Sequence, residues 1–341
     1  MDPLSDVLSL LKPVSQISSG FEAGGDWAVQ FADQGKQIKC YAVTHGGCWL
    51  EVQGLSPVRL TAGDSFVLPS GRPFKLASDL EIAPVPAGDI FPRARVGGIV
   101  SLNGGDDLRL VGSRFAVSGG QSAMLLALMP PIVHLREETE TSPLRWAVER
   151  MMDELRSAQP GGSLIAQHLA HMMLVEALRL HLTSTPPAGP GWFAALADEK
   201  MGAAIAALHA EPARRWSLQS LAGQVGMSRS TFALRFRRVV GETPMDYLTR
   251  WRMLLAADRL ENSSEPVSAI AFGLGYESES AFSTAFRRVM GSSPRRYGER
   301  RKTSVSDRGD TVTDIGSRRR LRVAVPASPD GRLDRHAHEL M

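Results

Sequence analysis

Apolar and polar residues alternate along the first third of the chain. Trp27-Ala28-Val29-Gln30-Phe31, Ile38-Lys39-Cys40-Tyr41-Ala42-Val43, Cys48-Trp49-Leu50-Glu51-Val52 and Ser65-Phe66-Val67-Leu68 are short runs set between glycine-rich turns. A two-residue period sends successive side chains to opposite faces of a strand, so residues 25–120 predict a small barrel or sandwich. From Ser122 the period becomes helical, and residues 144–157 predict one amphipathic helix. Residues 163–182 predict another. Its Leu164, Ile165, Leu169, Met172, Met173, Val175, Leu178 and Leu182 leave it too apolar to face water, so it packs on the barrel or on a second copy of itself. Thr183 to Gly191 holds three prolines and two glycines, the composition of a linker. After Arg301 the chain turns to Ser, Asp, Arg and Gly without a period, which predicts a disordered tail over 302–341.

Residues 218–297 carry one pattern twice, at an offset of 50 residues. The first copy ends Phe232-x-x-x-Phe236-Arg237-Arg238-Val239-Val240-Gly241-Glu242-Thr243-Pro244-x-x-Tyr247. The second ends Phe282-x-x-x-Phe286-Arg287-Arg288-Val289-Met290-Gly291-Ser292-Ser293-Pro294-x-x-Tyr297. Upstream of each, an apolar helix (Leu218 to Val225, Val267 to Leu274) runs into a glycine, Gly226 or Gly275. Ser228 and Ser278 stand where each arginine-bearing helix would need an N-cap, and Thr243-Pro244 and Ser293-Pro294 pair a cap with proline at the first helical position. A short helix, a glycine turn and a helix bearing arginines form a helix-turn-helix, the unit that lays one helix in the major groove. Two in tandem imply a protein that binds double-stranded DNA. Residues 245–261 join them as a rod of roughly 25 Å, long enough to hold the two reading helices about one DNA turn apart.

Charge follows this division. Residues 1–195 hold 15 Lys+Arg against 19 Asp+Glu, net −4; residues 196–301 hold 16 against 11, net +5; residues 302–341 hold 8 against 6, net +2. The positive excess lies on the repeats, as expected of the part that meets phosphates. No run of 18 apolar residues occurs and the start lacks a basic, then apolar, leader, so the chain is expected in the cytoplasm and away from membranes. Two cysteines exclude a disulfide framework.

Over about residues 196–298 the chain resembles the AraC family of bacterial transcription regulators. The resemblance rests on Ala222-x-x-x-Gly226-x-Ser228, the two Pro-x-x-Tyr steps, Arg252-x-x-x-Ala256-x-x-Arg259-Leu260 and Gly275-Tyr276-Glu277-Ser278. It implies that Arg229, Ser230, Ala233 and Leu234 of the first helix, and Glu279, Ser280, Ser283 and Thr284 of the second, face base edges. Arg237, Arg238, Arg287 and Arg288 lie a turn or more deeper and are expected on phosphates. Upstream, Gly63-Asp64-x-x-x-x-Pro69-x-Gly71 resembles the cupin turn, with the sensor half of one AraC subfamily around it. The expected fold is therefore α+β in two domains: a cupin-like β-barrel with trailing dimerisation helices over 1–183, a linker over 184–195, and an all-α tandem helix-turn-helix over 196–301. The resemblance implies a regulator, expected to be an activator that recruits RNA polymerase, acting as a homodimer under a small-molecule or redox signal.

Catalytic cupins set a metal-binding histidine three residues after the turn glycine. Here Phe74 stands there, and the preceding strand offers only His45. No metal centre, no cofactor and no enzymatic activity are expected. Cys40 and Cys48, expected on or beside adjacent strands, are a candidate redox pair, though small buried thiols would give the same pattern. His168-x-x-His171 lies on the apolar helix and is expected to pack rather than bind a metal.

Overall fold

The computed structural model describes residues 2–33, 35, 37–91, 98–117, 119–136, 142–157, 159–184 and 190–299. The tail expected over 302–341 lies outside the described residues. In chain order the elements are α1 (Pro3–Leu11), β1 (Val14–Ala23), β2 (Ala28–Phe31), β3 (Gln37–Val52), β4 (Val58–Thr61), β5 (Asp64–Leu68), β6 (Phe74–Ala77), β7 (Val85–Pro86), α2 (Ala87–Ile90), β8 (Ile99–Leu102), β9 (Leu108–Ala116), α3 (Ser122–Leu126) and β10 (Val133–Arg136). Helices follow without further strands among the described residues: α4 (Pro143–Ser157), α5 (Gly162–Ser184), α6 (Trp192–Ala197), α7 (Glu199–Ala210), α8 (Leu218–Gln224), α9 (Arg229–Val240), α10 (Pro244–Asn262), α11 (Val267–Gly273) and α12 (Glu279–Met290).

The strands form a curled, cupin-like sheet hinged on β3. Its first half pairs with β9 and β5, its second half with β4 and β6. Alternation explains the curl. Ile38, Cys40 and Ala42 point to the helix layer, where they join Val67, Val111 and Phe115 beneath α1, α4 and α5. Lys39, Tyr41 and Val43 point into the curl. A register shift between Val43 and His45 inverts this parity, so that Cys48, Leu50 and Val52 now face the interior with Phe66, Phe74 and Leu76. The candidate redox pair Cys40 and Cys48 is therefore corrected to two separate buried thiols. Both lie on one strand, eight residues or roughly 25 Å apart along it, and in different apolar clusters. Burial pushes each thiol up to about 12. Neither the reach of a disulfide nor a reactive thiolate is available.

The apolar helix α5 packs on the sheet. Leu169, Met173, Leu174 and Leu178 are buried in the same cluster as Phe115 and Val133, and the His171 ring nitrogens face the Gln167 and Pro13 carbonyl oxygens at 2.7 Å, to which a ring N–H donates, while the ring meets Phe115 edge-on. Its outward side keeps Leu164 and Ile165 exposed. The linker expected over 184–195 is shorter than that. Trp192–Ala197 form a helix whose Trp192, Phe193 and Ala195 are buried, with the Trp192 indole donating to the Tyr247 hydroxyl at 3.0 Å.

Candidate nucleic-acid interface and effector cavity

Each helix-turn-helix is set by local chemistry. Gly226 (φ 61°) and Gly275 (φ 80°) take the left-handed turn that side chains resist. The Ser228 hydroxyl accepts from the Thr231 amide and Ser278 from Ala281, while Thr243 accepts from Asp246 behind Pro244. Phe232 and Phe236 fill the first unit's core, Phe282 and Phe286 the second's, all fully buried. Arg252 and Arg259 serve the scaffold: Arg252 donates to the Pro212 and Arg214 carbonyls, and Arg259 pairs with Glu265.

With those faces committed, the opposite faces of α9 and α12 look outward in the same pattern. Ser230, Leu234, Arg237 and Arg238 are exposed on α9, and Ser280, Thr284, Arg287 and Arg288 on α12. Leu234 is 74% exposed, unusual for a leucine and suited to an apolar contact such as a thymine methyl. Arg229 is exposed at the start of α9, whereas Ala233, Ser283 and Glu279 are half-buried. Glu279 stands 3.7 Å from Arg295, and Thr284 donates to the Ser280 carbonyl. Arg229, Arg237, Arg238, Arg287 and Arg288 make no ion pair with any described residue, leaving five guanidinium groups open to solvent on these helices.

The repeated tyrosines do something that the spacing alone does not reveal. Tyr247 donates to His209 Nε2 at 2.8 Å, and His209 Nδ1 lies 3.2 Å from the Asp6 carboxylate of α1. The ring stacks on Trp251 at 3.7 Å, and burial pushes the imidazole down to about 3, with Arg250 adding to the effect. Although Asp6 would by itself favour a charged ring, the network is complete with a neutral one whose Nδ1–H donates to the carboxylate. In the second unit the Tyr297 hydroxyl meets Gln121 Oε1 at 3.1 Å, beside the Gly120 amide, which donates to Glu261. A Cβ on Gly120 would lie 2.4 Å from that hydroxyl. Lys12 pairs with Asp258 at 2.6 Å on α10. Both helix-turn-helix units are thus clamped to the N-terminal region by polar contacts, and neither Asp6, His209 nor Gln121 carried a sequence signal.

Inside the curl lies a cavity of about 420 Å³, within the range that holds a small ligand. Phe21, Phe31, Leu76, Phe91 and Leu110 give it apolar walls. Tyr41 lies so close over Gly112 that a Cβ there would be 2.0 Å from its ring. Lys39 and Arg114 bring positive charge to one wall. A lysine in an alternating strand reads as solvent-facing, yet Lys39 is 3% exposed, with its ammonium 4.6 Å and 4.5 Å from the Phe31 and Phe74 ring centres.

Comparison with known proteins gives the family. A cupin family matches residues 2–183 and a helix-turn-helix domain family matches residues 221–300. A protein named as an AraC-like transcription regulator in Streptomyces lividans is 45% identical over 282 residues, covering 82% of this chain and 92% of that one. The RCS-specific HTH-type transcriptional activator RclR of Escherichia coli K12 is 30% identical over 283 residues, covering 82% and 91%. Among solved structures, the DNA-binding domain of AdpA in complex with a target DNA is 33% identical, covering 30% of this chain and 91% of that one at a TM-score of 0.29. From Asp2 to the second arginine-bearing helix, the chain belongs to the AraC family of DNA-binding transcription regulators, in the form that joins a cupin-like N-terminal domain to a tandem helix-turn-helix.

Proposed function

We propose that this regulator reads a specific operator by laying α9 and α12 into successive major grooves, activates transcription by recruiting RNA polymerase, and answers a small molecule held in the barrel cavity. The matched outward faces of α9 and α12, with five guanidinium groups free of ion pairs among the described residues, carry the reading. Ser230, Ala233, Leu234, Glu279, Ser280, Ser283 and Thr284 would meet base edges, with Arg229 reaching a guanine. Arg237, Arg238, Arg287 and Arg288 would hold phosphates. The activating sense is supported by the E. coli relative, whose name is that of an activator. Control from the cavity would pass through the contacts that Asp6, His209, Tyr247, Gln121 and Tyr297 make between the two regions, rather than through the segment after α5.

The test is a gel-shift titration of the full chain on its own promoter. Glu279→Ala should relax preference at one or two base pairs, each lost base contact costing roughly 1–3 kcal/mol, with the melting temperature hardly moved. Unchanged specificity together with a large loss of stability would refute a reading role for Glu279.

The exposed leucine and isoleucine at the outer side of α5, 58% and 42% accessible, support a homodimer through that face. Leu164→Glu with Ile165→Glu should yield a folded monomer by sedimentation with weakened operator binding. A variant that remains dimeric would exclude this face. Leu169 is unsuited to the test, since it is buried against the sheet.

A further inference from the structure

We infer that the barrel cavity is built for an organic carboxylate with an apolar body, its carboxylate seated on Lys39 and its body on Phe21, Phe31 and Phe91. The inference rests on the reading of the cavity as the effector site and adds the chemical class.

Lys39 is a charge out of place. Lys39 is nearly inaccessible, and among the described residues it makes no ion pair and no hydrogen bond to a protein acceptor. Among the described residues its favourable partners are two aromatic faces. Arg114, on the neighbouring strand β9, lines the same wall, and its charge adds to the burial that disfavours the Lys39 ammonium. Buried cations are ordinarily paired because the interior solvates charge poorly. Here the unpaired ammonium borders open space. Burial, and then the charge of Arg114, pushes it down to about 7, so the site as it stands works against its own charge. An anion entering the cavity reverses that, favouring the protonated amine as an opposite charge does.

The remaining lining narrows the class. Apart from Lys39 and Arg114, the described lining offers Tyr41 and Ser19 as polar side chains, the Ser113 hydroxyl being turned to Ser18 and Met151, and is otherwise carbon. Such walls reject a polyanion or a sugar and accept a single anionic head on an aromatic or aliphatic frame. Among the described lining residues only Lys39, Tyr41 and Arg114 titrate, and burial pushes Tyr41 up and away from neutrality. Lys39 alone therefore sets the pH response near 7: the site loses its ammonium, and its hold on a carboxylate, as pH rises past that point.

Calorimetric titration of the full chain without DNA tests this with two matched pairs, 2-naphthoate against 2-naphthamide and octanoate against octanamide. At least one acid should bind tenfold or more tightly than its amide at pH 6.5, with the preference shrinking toward pH 8.5. Lys39→Met should keep the fold and bring acid and amide within about threefold, and Lys39→Gln should do the same. Equal affinity of acid and amide in both pairs, no binding by any of the four, or a preference that survives both substitutions would each overturn the inference. Operator binding is measured separately on the same preparations. An acid that binds through Lys39 without changing operator affinity would leave the ligand class standing and refute the regulatory reading instead.

Discussion

Phe286→Ala is expected to remove roughly 3–5 kcal/mol of stability and to abolish tight operator binding while the cupin-like sheet stays folded. Phe286 is fully buried and meets Phe282 at 5.7 Å and Tyr297 edge-on at 5.4 Å. Its cluster, with Met253, Ile270, Leu274 and Phe282, is separate from the one under the sheet. A satellite core this small cannot absorb a benzyl-sized void by relaxing against its neighbours. Circular dichroism melting should therefore split into an early helical step and a later one, and gel shift should show the loss of the second half of the operator. One unchanged transition with wild-type affinity would contradict the assignment of α12 to both a separate core and a DNA-reading role.

The second large effect belongs to Arg237→Ala combined with Arg287→Ala. If each guanidinium neutralises one phosphate, the slope of log affinity against log salt should become shallower by about 1.8. Between 50 and 200 mM salt that slope change alone amounts to roughly a tenfold difference in how affinity decays. All duplexes should weaken alike. A shifted sequence preference at constant slope would show that these arginines read bases.

How far the sequence was legible depends on whether the signal was local. Caps at Ser228, Ser278 and Thr243, turns at Gly226 and Gly275, and phenylalanines spaced one helical turn apart are settled within a few residues, and the structure has each where the pattern predicts it. The strand runs 38–43 and 48–52 were also legible, but not that they form one strand, because the shift between Val43 and His45 depends on the partner β9. Both cysteines lie on that one strand, and the displacement turned them to opposite faces. Trp192 read as the end of a linker because its partner, Tyr247, lies 55 residues on. Lys39 was hidden for a related reason: alternation shows that two faces differ, not that the polar one lines an enclosed space.

The apolar cluster beneath the sheet does not stop at the cupin-like region. It continues from α1, α4 and α5 through Trp192, Ile205 and Trp251 into Leu221, Phe232 and Phe236. In terms of native-state opening, α9 is expected to belong to the cooperative unit of the cupin-like region, and α12 to a smaller unit of its own. Amide protons in α9 should then exchange only when the helices of the cupin-like region let go, whereas those in α12 should exchange through a cheaper, private opening. The two helices, near twins in sequence, are unequal instruments. α9 shares an apolar core with the cupin-like region, whereas α12 keeps a core of its own and its unit meets that region through the polar contacts of Tyr297, Glu261 and Asp258.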